Sequence, residues 1–108
     1  MSRWLMLALA LALAGTAQAR GNAEAGKQKA AQVCAACHGA EGNQPTAPEN
    51  PILAGQHYDY LVKAMKDYKS GQRSNPMMKG FAATLSVRDM EDLAAWFSSQ
   101  KSKLHFQR

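Results

Sequence analysis

Along the chain, hydrophobic and polar positions alternate between one long apolar run, three stretches with helical spacing and two connections rich in breakers. The run from Trp4 to Ala14 follows a single positive residue, Arg3, and precedes Ala17-Gln18-Ala19. A positive start, an apolar segment and a small-x-small site together read as a secretory signal peptide. An ordinary transmembrane helix needs about 20 apolar residues, more than this run supplies. Residues 1–19 are therefore expected to be removed on export, leaving residues 20–108, 89 in number, as one domain.

Three helices are predicted in that domain. The first runs from about Ala23 to Val33, with Asn22 as its N-cap and Ala25, Ala30 and Val33 among its small or apolar positions. The second, from about Tyr58 to Ser70, places Tyr58, Leu61, Val62, Met65 and Tyr68 on one stripe, and Gly71 stops it. The third starts at Ser86, where Asp89 completes an S-x-x-D capping box. Met90, Leu93, Ala94 and Phe97 form its buried stripe, which fades near Gln100. No period-two alternation supports a strand.

Between the helices, residues 39–56 carry Pro45, Pro48, Pro51, Gly42 and Gly55, too many breakers for regular structure. Residues 71–85 form a second loop centred on Asn75-Pro76-Met77-Met78-Lys79-Gly80. Met65 and Met90 sit on helical stripes and read as core. Met77 and Met78 sit in this second loop, and their chemistry alone does not separate them.

Composition adds a sign. Once Arg3 is removed with the leader, twelve Lys and Arg stand against eight Asp and Glu, a net charge of +4. Lys63, Lys66, Lys69, Arg73 and Lys79 fall on the second helix and the loop after it. Such a run reads equally as a solvated face or as a patch that steers the protein onto acidic partners. Export and the lack of interleaved aromatics argue against nucleic acid.

The chemistry concentrates in Cys34-Ala35-Ala36-Cys37-His38. C-x-x-C-H is the signature of covalent haem attachment. Two thiols three positions apart add to the two vinyl groups of a haem, and the histidine that follows becomes a proximal iron ligand. The rivals fit less well. A thioredoxin-like pair needs a strand before it and a βαβ unit around it. A structural zinc needs four ligands, and the chain has no second cysteine pair. A disulfide across two residues closes almost no loop. Thioether bonds also suit an oxidising compartment, where free thiols would pair. The sixth ligand is expected from Met77 or Met78, with His57 as a bis-His competitor and His105 in the tail. A haem at the centre of so small a domain would form much of its interior, so the apoprotein is expected to be largely unfolded.

These residues resemble a known family, the class I cytochromes c, and most closely one half of the two-haem periplasmic cytochromes c of bacterial respiratory chains. The likeness rests on Cys34-Ala35-Ala36-Cys37-His38-Gly39, Gly42-Asn43, Pro51-Ile52-Leu53-Ala54-Gly55-Gln56, Tyr60-Leu61, Gly71 with Arg73, Met78, and Leu85-Ser86 followed by Asp89 and Leu93-Ala94-Ala95-Trp96-Phe97. It implies an all-α fold of three main helices and long loops wrapped around one covalent haem c. It implies Cys34 and Cys37 as the attachment sites and His38 as the proximal ligand. Met78, eight positions before the serine that opens the last helix, is implied as the axial methionine, with Met77 as runner-up. The Pro51 carbonyl would accept from the other ring nitrogen of His38, and Gly26 would let the first helix cross closely against Trp96. Arg73 and Gln56 are candidate contacts of the haem propionates.

There are two departures. The chain has one haem motif where those relatives have two, and its first loop is one residue longer. The function implied is one-electron transfer by a periplasmic, mostly monomeric carrier rather than catalysis, through brief encounters. Its partners would be membrane respiratory complexes or periplasmic dehydrogenases with acidic docking surfaces. The alternatives are a haem subunit fixed to a larger oxidoreductase and a haem enzyme with a labile methionine ligand.

Overall fold

The computed structural model describes residues 20–104, so the signal-peptide expectation for residues 1–19 and the tail histidine at 105 lie outside the described residues. The order of elements is α1 (Ala23–Val33), α2 (Ala35–His38), α3 (Tyr58–Ser70), α4 (Pro76–Ala82) and α5 (Val87–Ser98), with no strand among the described residues. None of these helices is long and apolar enough to cross a membrane. The three long helices are those expected from the sequence.

Their ends follow from capping. The Asn22 side chain accepts from the Ala25 amide at 2.9 Å, and Gly71 closes α3 in the left-handed conformation at φ 87°. At α5 the Ser86 hydroxyl accepts from the Asp89 amide at 3.0 Å while the Asp89 carboxylate accepts from the Ser86 amide at 2.9 Å. Two orphan amides are satisfied reciprocally. The last helix ends at Ser98, two residues before the fading point expected near Gln100. There the chain tightens, with the Ser99 and Gln100 amides donating to the carbonyls of Trp96 and Phe97.

The capping box carries a testable expectation. Ser86→Ala should lower stability by about 1 kcal/mol in urea unfolding. The hydrogen bond from the Ser86 amide holds the Asp89 carboxyl below its ordinary range. A carboxyl depressed on folding stabilises the fold above its unfolded value of roughly 4, and that contribution is lost as pH falls through the lower folded value. Asp89→Asn, which removes this carboxylate, should therefore cost stability at neutral pH and progressively less in acid, and a cost unchanged from neutral pH to about pH 3 would contradict the assignment.

One expectation is corrected. Residues 71–85 were expected to be a loop, yet Pro76–Ala82 is helical. Pro76 reads as a breaker in isolation, but at the first helical position its missing N–H costs nothing and its φ is already set for the turn. Asn75 before it caps the helix, its side chain accepting from the Met78 amide at 3.0 Å. Both candidate methionines thus stand on a short helix rather than in a loop.

Packing places α5 at the centre, with α1 and α3 against it, α4 on α3 and α2 on α1. The core is Ala30, Leu61, Leu85, Met90, Leu93, Ala94 and Phe97, with Cys34, Leu53, Tyr58, Val62, Met65 and Trp96 packed partly buried against it. Met90 lies in the core and Met65 packs half-buried against it, on the stripes their spacing predicts. The α1–α5 crossing is very close: a Cβ on Gly26 would lie 1.9 Å from the Asp92 carbonyl oxygen and 3.0 Å from Trp96 Cβ. The tightest contact is thus one turn before Trp96, which stays half-buried and donates its indole N–H to the Ala40 carbonyl at 2.9 Å.

Candidate haem site

Cys34 ends α1 and its backbone continues into the single turn of α2, so the two cysteines and His38 fall within one tight helical turn. The His38 and Cys37 amides donate to the Cys34 carbonyl at 3.0 and 3.2 Å. Gly39 follows at φ 87°, a value that favours glycine, and turns the chain out of the helix. The long first loop is irregular, as its breakers predict, but it is well tied. The Thr46 amide and the Asn50 side chain both donate to the Cys37 carbonyl, at 3.0 and 3.2 Å. The Gly42 carbonyl accepts from the Leu53 amide at 2.8 Å.

This loop brings Pro51 to His38. The histidine is 6% exposed, and its Nδ1 lies 2.9 Å from the Pro51 carbonyl oxygen. A carbonyl only accepts, so Nδ1 carries a proton and Nε2 is the ring nitrogen left for a ligand bond. That arrangement is the one an iron-binding imidazole needs, and the carbonyl fixes its orientation. The contact to Pro51 that the resemblance implied is present.

Both cysteines are free and half-buried. Burial first, and the neighbouring Cys37 second, push the Cys34 thiol up to about 11. Among the described residues no group of three or more His, Cys, Asp or Glu gathers as a structural zinc would require. Two half-buried thiols one turn apart beside an oriented, buried imidazole are the donor set of an attached haem. The residues present fit that group.

The geometry of α4 separates the two methionines. Met77 and Phe81 are one turn apart on one face and are 65% and 40% exposed. Met78 and Ala82 share the next face, with Ala82 fully buried and Met78 half-buried. Met78 therefore lies on the inward side of the helix and Met77 on the outward side. His57 is exposed at the N-cap of α3, and its side chain makes no capping hydrogen bond.

The basic run resolves into different duties. Lys63 pairs with Asp67 on its own helix, and Lys69 donates to the Leu85 carbonyl. The Arg73 guanidinium donates to the Tyr60 hydroxyl at 3.1 Å and lies 4.8 Å over the Tyr68 ring. The Gln56 side chain is turned onto the neighbouring His57 amide. Lys66 and Lys79 remain as exposed cations.

Some contributors had no signal in motif or period. Asn50, in the breaker-rich first loop, carries no motif that announces its bond to the Cys37 carbonyl. The buried Asp92, 9% exposed, accepts from the Asn22 amide at 2.7 Å and so fastens the start of α1 to α5. An acid inside the apolar stripe between Met90 and Leu93 was the clue available.

The Cytochrome c family model matches residues 23–101. Cytochrome c4 of Pseudomonas aeruginosa is 54% identical over 95 residues, covering 88% of this chain and 46% of that protein. A protein of Stutzerimonas stutzeri named thiosulfate dehydrogenase electron acceptor is 43% identical over 72 residues, covering 67% of this chain and 33% of its own length. The crystal structure of reduced recombinant cytochrome c4 from Pseudomonas stutzeri superposes with a TM-score of 0.71 at 46% identity, covering 78% of this chain and 48% of that one. The chain thus spans about half the length of the cytochrome c4 relatives it matches. With its helical fold, its oriented histidine and these likenesses, the chain belongs to the cytochrome c family, with covalently attached haem c as its cofactor.

Proposed function

We propose that this protein is a periplasmic one-electron carrier, exported by the leader at residues 1–19, in which Cys34 and Cys37 hold the haem and His38 and Met78 are its axial ligands. The observation that carries the reading is the buried His38 ring, whose Nδ1–H donates to the Pro51 carbonyl and whose Nε2 is left as a donor to iron. When bound, haem c supplies an iron that cycles between ferrous and ferric states. The chain's own residues orient the imidazole and present the Met78 thioether on the inward face of α4. A neutral thioether favours ferrous iron relative to a second imidazole, which raises the reduction potential.

With His38 and Met78 both holding the iron, no coordination position would be left open to a substrate, which would favour a carrier over an enzyme. Membrane respiratory complexes and periplasmic dehydrogenases are the proposed partners. The name of the Stutzerimonas stutzeri relative, an electron acceptor for a dehydrogenase, supports the latter class. Lys66 and Lys79, both exposed, would serve an acidic docking surface, and their effect on encounter rates would weaken with salt.

A redox titration of the holoprotein is expected to follow a one-electron curve of about 59 mV per decade. The ferrous form should not bind carbon monoxide at micromolar concentration. Tight carbon monoxide binding would point to an open coordination position and to enzyme chemistry.

A further inference from the structure

The segment from Gly71 to Asn75 delivers the chain from α3 to α4, and Asn75 caps the helix that carries Met78. Its course is set in two places. The Arg73 amide donates to the Asp67 carbonyl at 3.1 Å, folding the segment back against the end of α3. The Arg73 side chain then reaches along α3, donating to the Tyr60 hydroxyl at 3.1 Å with its guanidinium 4.8 Å over the Tyr68 ring. A planar, permanently charged group suits a site that asks for a hydrogen bond and a stacking face together.

We propose that Arg73, clamped between Tyr60 and Tyr68, is a positioning residue that holds the Gly71–Asn75 segment, and through it Met78, in place on the iron. The inference rests on Met78 being the axial ligand. It differs from the haem-propionate contact for which Arg73 is a candidate in the sequence, since the guanidinium here is engaged by the protein itself. All three side chains are at least partly exposed, so the clamp is modest. One hydrogen bond and one cation–π contact correspond to about a tenfold change in an equilibrium between methionine-bound and methionine-displaced iron.

The probe is imidazole, which competes with a thioether for ferric iron. The readout is the weak charge-transfer band of methionine-sulfur ligation, followed in ferric holoprotein as imidazole is added. Relative to the unchanged protein, Arg73→Gln and Tyr60→Phe should each bind imidazole more tightly, Arg73→Gln by about tenfold. The double variant should go no further than Arg73→Gln, because Tyr60 acts through Arg73. A role confined to general stability would lower Tm and leave imidazole affinity where it was. Two results overturn the clamp: imidazole affinity within twofold of the unchanged protein in both single variants, or fully additive effects in the double variant. A ferric spectrum of the unchanged protein with no methionine band would overturn the ligand assignment itself, and the clamp with it. The first two failures leave Met78 as ligand, so the two claims fall separately.

Discussion

Replacing Cys34 and Cys37 together by alanine is expected to leave a chain that does not hold its fold. The large buried side chains of the core are Leu61, Leu85, Met90, Leu93 and Phe97, and only Met90 and Leu93 are completely enclosed. Leu53, Val62, Met65 and Tyr58 stay half-buried around them, while Tyr60, Met77 and Phe81 remain exposed. Each fully buried large side chain stabilises by roughly 1.5–3 kcal/mol, while fixing each residue's backbone costs about 1–2 kcal/mol. A domain of this size is marginal on its polypeptide core alone, and a haem fastened at both cysteines adds the largest single apolar surface. Far-UV circular dichroism of the double variant should show most of the helical signal lost at 25 °C, with no cooperative melting. A cooperative transition like that of the holoprotein would mean that the polypeptide carries its own stability.

Gly26→Ala is expected to cost on the order of 3 kcal/mol, the upper part of the usual range for overpacking. The added Cβ would sit 1.9 Å from the Asp92 carbonyl oxygen, which is backbone of α5 and has no rotamer by which to escape. α1 must then move off α5. That movement loosens the Asn22 amide from the buried Asp92 carboxylate and carries Cys34, at the far end of α1, away from the core. Denaturant unfolding should show a lower midpoint with an unchanged m-value. Gly80→Ala, where a Cβ meets nothing within 4 Å, serves as the control and should be neutral or slightly stabilising. A Gly26→Ala midpoint equal to that of the unchanged protein would show that the crossing relaxes without cost.

What the sequence made legible is local. Asn22, Gly71 and the Ser86–Asp89 box announce helix ends because each satisfies or terminates backbone bonds within a few residues. The stripes of α3 and α5 announce buried faces because helical period is written in the chain. Cys34, Cys37 and His38 announce their chemistry because attachment and ligation need adjacent residues. The parts that stayed hidden are those where meaning depends on a distant partner. Gly21 must be bare because the Glu91 carbonyl of α5 lies against it, and neither α1 nor α5 alone records that approach; the need for a bare Gly26 was legible only through the family resemblance. Asp92 reads as a surface acid until the Asn22 amide meets it. Arg73, Lys63 and Lys69 read as members of one charged patch until their individual partners divide them. Pro76 misled for a different reason. The same residue ends a helix from within and begins one at its first position, and Asn75 before it was the sign of the second case.

The central claim concerns the ligands of the iron, and an optical spectrum of the purified holoprotein, oxidised and reduced, tests it most directly. The expected result is a c-type spectrum whose ferric form carries the methionine-sulfur charge-transfer band, lost in Met78→Ala and kept in Met77→Ala, as the inward and outward faces of α4 require. Loss of the band in Met77→Ala with its retention in Met78→Ala would contradict that reading of α4. A c-type spectrum without the band in the unchanged protein would contradict the His38–Met78 pair outright.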